Sequence, residues 1–146
     1  MIFFVVFVVK LGINLANQSK YEEAILAFEE AKSKSDNTED IRKIQNSLDS
    51  MRLAIEANYL SSKNEYNQSI LKYHEAFELS EDVVLRNKFL IQMNSLKLKR
   101  AQKASLLFEK GKFLSKQAKY SEAIKHFENA KNECGDDLNN SNVFSW

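Results

Sequence analysis

Three stretches decide how this chain folds: KYEEAILAFEEA (Lys20 to Ala31), EYNQSILKYHEA (Glu65 to Ala76) and KYSEAIKHFENA (Lys119 to Ala130). Each places a tyrosine, a small residue three on, an aromatic four further and an alanine three after that. The sets are Tyr21/Ala24/Phe28/Ala31, Tyr66/Ser69/Tyr73/Ala76 and Tyr120/Ala123/Phe127/Ala130. Steps of three and four put each set on one face of an α-helix. Copies of one unit along a chain mark a repeat architecture, in which each unit buries its apolar face against the next. The expected fold class is therefore all-α, a solenoid of helix pairs, and its broad role is binding rather than conversion.

Turn clusters follow the copies: Ser35-Asp36-Asn37-Thr38, Ser80-Glu81-Asp82 and Gly135-Asp136-Asp137. Thr38 before Glu39-Asp40, and Ser80 before Glu81-Asp82, read as hydroxyl N-caps with acids in the first turn. Gly135 reads as a C-terminal stop. Tighter breaks at Gln18-Ser19-Lys20, Lys63-Asn64-Glu65 and Ala118-Lys119 divide each unit into two helices. The spans predicted are 3–17 with 20–34, 39–62 with 65–79, and 82–117 with 119–133. Residues 134–146 remain as a tail.

These pairs resemble the tetratricopeptide repeat, whose first helix carries Leu-Gly and a later large apolar residue and whose second carries the Tyr, Ala, aromatic, Ala series. Leu11-Gly12 and Leu15 match the first helix of repeat one (3–34). Gly111 and Leu114 match that of repeat three (82–133), with Lys110 in place of Leu. Repeat two (39–79) keeps only Glu56-Ala57 and Leu60. The resemblance implies a right-handed α-solenoid of antiparallel helix pairs. Gly12, Ala57 and Gly111 would face Ala24, Ser69 and Ala123 for close approach, and the aromatics would fill the space between pairs.

The spacing departs from the family's period of about 34 residues. Tyr21 to Tyr66 is 45 residues and Tyr66 to Tyr120 is 54. The second helices are of ordinary length, so the first helices of repeats two and three must be elongated, by about 16 Å and 30 Å at about 1.5 Å per residue. Ile41, Ile44 and Leu48 in one extension, and Leu85, Phe89, Met93 and Leu96 in the other, form stripes that bury only against another helix. The two stripes are expected to meet.

Composition narrows the function. The chain has 146 residues, 44% of them hydrophobic and 28% charged, which suits one helical domain. With 21 basic and 20 acidic residues, nothing global draws it to nucleic acid. The absence of proline permits long helices. Cys134 stands alone, so no internal disulfide forms, which fits a reducing, cytoplasmic setting. The apolar run Ile2 to Val9 is too short to span a bilayer and reads as the start of the first helix. A membrane-dipping anchor is its second reading.

No catalytic, cofactor or metal set emerges. His74 and His126 sit at different places in their repeats and read as surface residues, and one cysteine with two scattered histidines makes no zinc site. The basic run Lys97, Lys99, Arg100 and Lys103 lacks interleaved aromatics and reads as a solvated face. The resemblance implies instead a groove lined by first helices: Lys10, Ile13 and Asn17, then Met51, Ile55 and Asn58, then Phe108, Lys112 and Lys116. The carboxylate clamp of the family's chaperone-binding members has Val9, Ile13, Ile55, Ser105 and Glu109 at its positions, and so is missing. The expectation is a non-enzymatic adaptor that binds a helix or extended segment of another protein. Self-association through the apolar ends is the alternative.

Overall fold

The computed structural model describes residues 2–134, which form six helices and the links between them, with no strand among the described residues. The helices are α1 (Ile2–Asn17), α2 (Tyr21–Lys34), α3 (Thr38–Ser62), α4 (Tyr66–Leu79), α5 (Val83–Lys116) and α6 (Tyr120–Cys134). Each element lies within a residue or two of its predicted span. Gly135 and the tail lie outside the described residues. The chain forms two compact units, Met1–Asn94 and Ser95–Trp146, and α5 contributes to both. In the first unit α1 packs on α2, α2 on α3, and α3 on α4.

The tight breaks share one backbone device. Ser19, Asn64 and Ala118 have φ of 64°, 61° and 58°. Behind them Lys20, Glu65 and Lys119 donate their N–H groups to the carbonyls of Leu15, Leu60 and Leu114, at 2.9, 3.0 and 3.0 Å. The N–H groups of Ser19, Asn64 and Ala118 reach Ala16, Ser61 and Ser115. That is the Schellman closure, which satisfies helix-end carbonyls by passing through a left-handed residue. Glycine is the usual occupant, and none of the three positions has it.

Two caps differ from expectation. Asn37, not Thr38, caps α3, its Oδ1 accepting from the N–H groups of Glu39 at 2.9 Å and Asp40 at 3.2 Å. At α5 it is Asp82, not Ser80, whose carboxylate accepts from the N–H of Leu85 at 2.9 Å. In both places an acceptor one or two residues nearer or farther along the turn reaches the free amides better than the hydroxyl does.

Close helix approach is set by missing side-chain volume. A Cβ on Gly12 would stand 2.8 Å from the Phe28 ring, and one on Gly111 would stand 2.7 Å from the Phe127 ring. In the middle pair Ala57 is fully buried, and the Ser69 hydroxyl donates to its carbonyl at 2.6 Å. A polar residue is tolerated at that small position because its hydrogen bond is made. Ala24, Ala31, Ala76, Ala123 and Ala130 are buried, as are Tyr21, Phe28 and Tyr73. Tyr66 and Phe127 are half-buried. Tyr120, expected to fill space between pairs, is instead 62% exposed. Its counterpart Tyr21 is covered because Phe89 packs on it.

Filling the contact at Gly12 should be costly. Gly12→Val is expected to lose about 1–3 kcal/mol by overpacking against Phe28, whereas Asn14→Val, at an exposed site of the same helix, should stay within about 0.5 kcal/mol. Urea denaturation of the two variants measures the difference. Ala118→Gly should raise stability by about 1 kcal/mol, because glycine removes the left-handed penalty. The same unfolding curves check that sign.

Candidate interaction groove

Among the described residues no His, Cys, Asp and Glu gather as a metal site. Burial pushes the Cys134 thiol pKa up, outweighing the opposing charge of Arg100, so the reactive thiolate is disfavoured. Arg100, read from sequence as solvated, is buried. Lys103 of the same run pairs with Glu133 at 2.8 Å. His74 is exposed near Glu78, while His126 is half-buried with Nδ1 enclosed, so only the first is a surface histidine. No helix among the described residues is long and apolar enough to cross a membrane.

What the first unit does present is a trough between α1 and α3. Its central part, about 340 Å³, has Val5, Val6, Val9, Lys10 and Ile13 on the α1 wall and Asp40, Lys43 and Ile44 on the α3 wall. Val9, Ile13, Lys43 and Ile44 continue into a deeper recess of about 160 Å³ that reaches Phe28 of α2. That recess is bounded by Leu79 to Asp82 and by Leu85 of α5. Toward the start of α1, a third hollow of about 380 Å³ sets Ile2, Val5 and Val6 against Lys34 to Asn37 and Asp40. Shared walls make the three hollows one trough running along α1. Its α1 wall is mainly aliphatic, with Lys10 and Lys43 on opposite walls of the central part. Polar residues, Lys34 to Asn37 with Asp40 and Ser80 to Asp82, stand toward the two ends.

The start of α5 closes one end of it. Leu85 and Phe89 are buried, and Phe89 lies between Tyr21 and Tyr73, at 6.4 and 6.1 Å between ring centroids. Beside it the Lys88 ammonium donates to the Asn17 carbonyl at 2.7 Å. α1 has no basic residue in its own last turn, so Lys88 supplies the cation that a helix C-terminus favours. Partial burial lowers the Lys88 pKa. Of the two stripes, Ile44, Leu48, Leu85, Phe89, Met93 and Leu96 are buried and Ile41 is half-buried, and Phe89 joins the aromatic set of Tyr21 and Tyr73.

The nine expected groove residues are distributed differently. Lys10 and Ile13 line the trough. Asn17 is half-buried and engaged through its carbonyl by Lys88. Met51 is fully buried, so its surface is used inside the fold, and Ile55 is half-buried. Asn58 accepts a hydrogen bond from the Tyr73 hydroxyl. In the second unit Phe108 is buried against Phe127, at 5.5 Å between ring centroids. Lys112 lies 5.5 Å above the Phe108 ring and 3.4 Å from Glu109. Lys116 is exposed in the last turn of α5. The sequence reading missed Val5, Val6, Lys43 and Ile44 as trough residues. The aliphatic i, i+4 series Val5/Val9/Ile13 was the available signal.

The aromatic cluster has a readable pH signature. Burial pushes the phenol pKa of Tyr21 and Tyr73 up from the ordinary value. A raised folded-state pKa means that the protonated phenol is bound more tightly in the folded chain. The associated stability is therefore intact below about pH 10, where unfolded tyrosine is neutral, and falls as pH climbs toward the folded values. Tyrosinate absorbance should show Tyr21 and Tyr73 ionising above the ordinary tyrosine value, and Phe89→Ala should bring both down.

In comparisons with known proteins, no family model, no curated protein and no solved structure matches this chain.

Proposed function

We propose that the chain is a non-enzymatic adaptor of tetratricopeptide type. Its three helix pairs act as repeats of one unit, and the α1–α3 trough takes an amphipathic helix from a partner protein without any cofactor. The observation carrying this reading is a trough with apolar walls on two helices, bounded at one end by a third, the start of α5. Leu85 forms part of its wall, and Lys88 tethers that helix to the end of α1. The open remainder offers Val5, Val6, Val9, Ile13 and Ile44 for apolar side chains at i and i+4. Helix-in-groove recognition needs just such anchors, with polar groups at the rim to set direction. In the central part Lys10 and Lys43 flank the aliphatic strip against Asp40 alone, so a partner helix seated there carries acidic residues beside its apolar stripe. Asp36, Glu81 and Asp82 lie toward the ends of the trough.

The repeat reading is supported by the recurrence of one local arrangement. A Cβ-free or small residue on the first helix faces an aromatic or hydroxyl of the second at Gly12/Phe28, Ala57/Ser69 and Gly111/Phe127. Each pair is also closed by the same left-handed turn. A cytoplasmic setting is proposed with it, on the buried single thiol.

The test uses two synthetic helical peptides with leucine at i, i+4 and i+8, one flanked by glutamate and one by lysine. The glutamate peptide should bind, and the lysine peptide should bind about tenfold more weakly or worse. Ile13→Asp should abolish binding while leaving far-UV circular dichroism unchanged. Binding of neither peptide, or equal binding to the Ile13→Asp variant, overturns the groove reading.

A further inference from the structure

The α1–α3 trough is not evenly deep. Along its central part Val6 is exposed and Val9 and Ile13 are half-buried, so a side chain laid there keeps one flank in water. At the Ser80–Asp82 end the floor drops to Phe28, which is 1% exposed, and Ile44 and Leu85, each 4% exposed, close the sides. The recess so formed, about 160 Å³, is where α1, α2, α3, the end of α4 and the start of α5 converge. At about 30 Å³ per water molecule it has room for several heavy atoms, enough for one leucine or phenylalanine side chain. Two polar groups at its rim are already engaged. The Ser47 hydroxyl donates to the Lys43 carbonyl at 3.2 Å, and the Asp82 carboxylate accepts from the Leu85 N–H at 2.9 Å. The charged side chains of Lys43 and Glu81 stand exposed around the mouth.

We infer that this recess is the anchor site of the trough: it takes one large apolar side chain of the partner helix, and that side chain carries most of the binding. An occupant of the recess loses its water on nearly every side, whereas one on the central strip loses only part of it. Apolar stabilisation scales with the area removed from water. Interfaces accordingly concentrate their energy in such enclosed pockets, ringed by contacts that contribute little. Lys43 lines the recess and the central part alike. A carboxylate three or four residues from the anchor, about 5–6 Å along the partner helix, therefore comes level with Lys43 and Lys10. The partner is thus a helix carrying leucine or phenylalanine with glutamate or aspartate one turn away. This anchor site rests on the reading that the trough takes a partner helix, and fixes where along it the binding is decided.

A double-mutant cycle between the chain and the glutamate peptide with leucine at i, i+4 and i+8 tests it, read by fluorescence anisotropy. Ser47→Phe fills the recess from its rim, and the hydroxyl it removes bonds only a carbonyl of its own helix. That variant should bind the peptide about tenfold more weakly or worse with far-UV circular dichroism unchanged. On the peptide, alanine in place of one terminal leucine should cost the wild-type complex about tenfold or more, and alanine at the middle leucine about threefold or less. The peptide without its anchor leucine should bind the wild-type chain and Ser47→Phe equally. Failure of the unmodified glutamate peptide to bind the wild-type chain overturns the trough reading itself. Binding that Ser47→Phe leaves unchanged, or losses spread evenly over the three leucines, overturns the anchor site alone. So does a Ser47→Phe chain that melts higher and binds as before, since the recess is then a gap that the fold leaves unfilled.

Discussion

A ring laid against a helix that has no side chain beneath it is the contact on which the rest of the structure depends. Phe28 over Gly12 and Phe127 over Gly111 bring two helix backbones closer than any Cβ would permit. That distance sets the reach of every other side chain between the two helices of a pair. It lets small residues such as Ala24, Ala31, Ala123 and Ala130 be fully packed rather than leaving cavities. The middle pair lacks a glycine and reaches a similar end by another route: alanine on one helix, and a serine whose hydroxyl bonds that alanine's carbonyl on the other. Ser50 is accommodated in the same way, donating to the carbonyl of Ala76 at 3.0 Å. A buried hydroxyl with a partner costs little, while one without a partner would cost a large share of a domain's net stability.

The elongated α5 is the second organising feature. Its beginning is held in the first unit by an aromatic cluster, Phe89 with Tyr21 and Tyr73, and by the Lys88 tether to the last carbonyl of α1. A neighbouring aromatic contributes large apolar area with few rotamers to lose, so one such side chain anchors a helix start effectively. Arg86 adds a further restraint, its guanidinium lying 4.3 Å from the Phe77 ring centroid. The trough between α1 and α3 is what this anchoring leaves open. Its walls combine buried side chains, Val5 and Ile44, with the more open Val6, Val9 and Ile13.

Much of the architecture was legible before any coordinates. Helix number and approximate bounds followed from the apolar periodicity, the turn clusters and the lack of proline. The small residues that allow close approach were recognisable because only a demand for space explains glycine in the middle of a helix. The helix caps were less legible, since Asn37/Thr38 and Ser80/Asp82 each offer competing acceptors and the winner depends on turn geometry. The left-handed closures were harder still: serine, asparagine and alanine do not advertise φ near +60° as glycine does. Of the expected groove residues Lys10 and Ile13 line the trough, while Met51 and Phe108 are buried in the core. A first-helix position can face either way, and only the neighbour packed on it decides which.

By itself, the sequence determined that the chain is helical, where its helices turn, and that Gly12 and Gly111 mark close approach, because those are consequences of spacing within a few turns. Packing decided that the rings of Phe28 and Phe127, expected between pairs, lie on those glycines where Ala24 and Ala123 were expected. The tertiary structure alone decided which apolar stripes stay uncovered. Tyr21 is shielded by Phe89, sixty-eight positions away along the chain, while Tyr120, in the same local pattern, is open to solvent. Phe3 and Leu48 each stand nine residues before a buried small residue, Gly12 and Ala57, yet one is exposed and the other buried. Burial is a property of the partner surface and not of the residue, so identical motifs separate into core and interface only when distant segments are brought against some of them and not others.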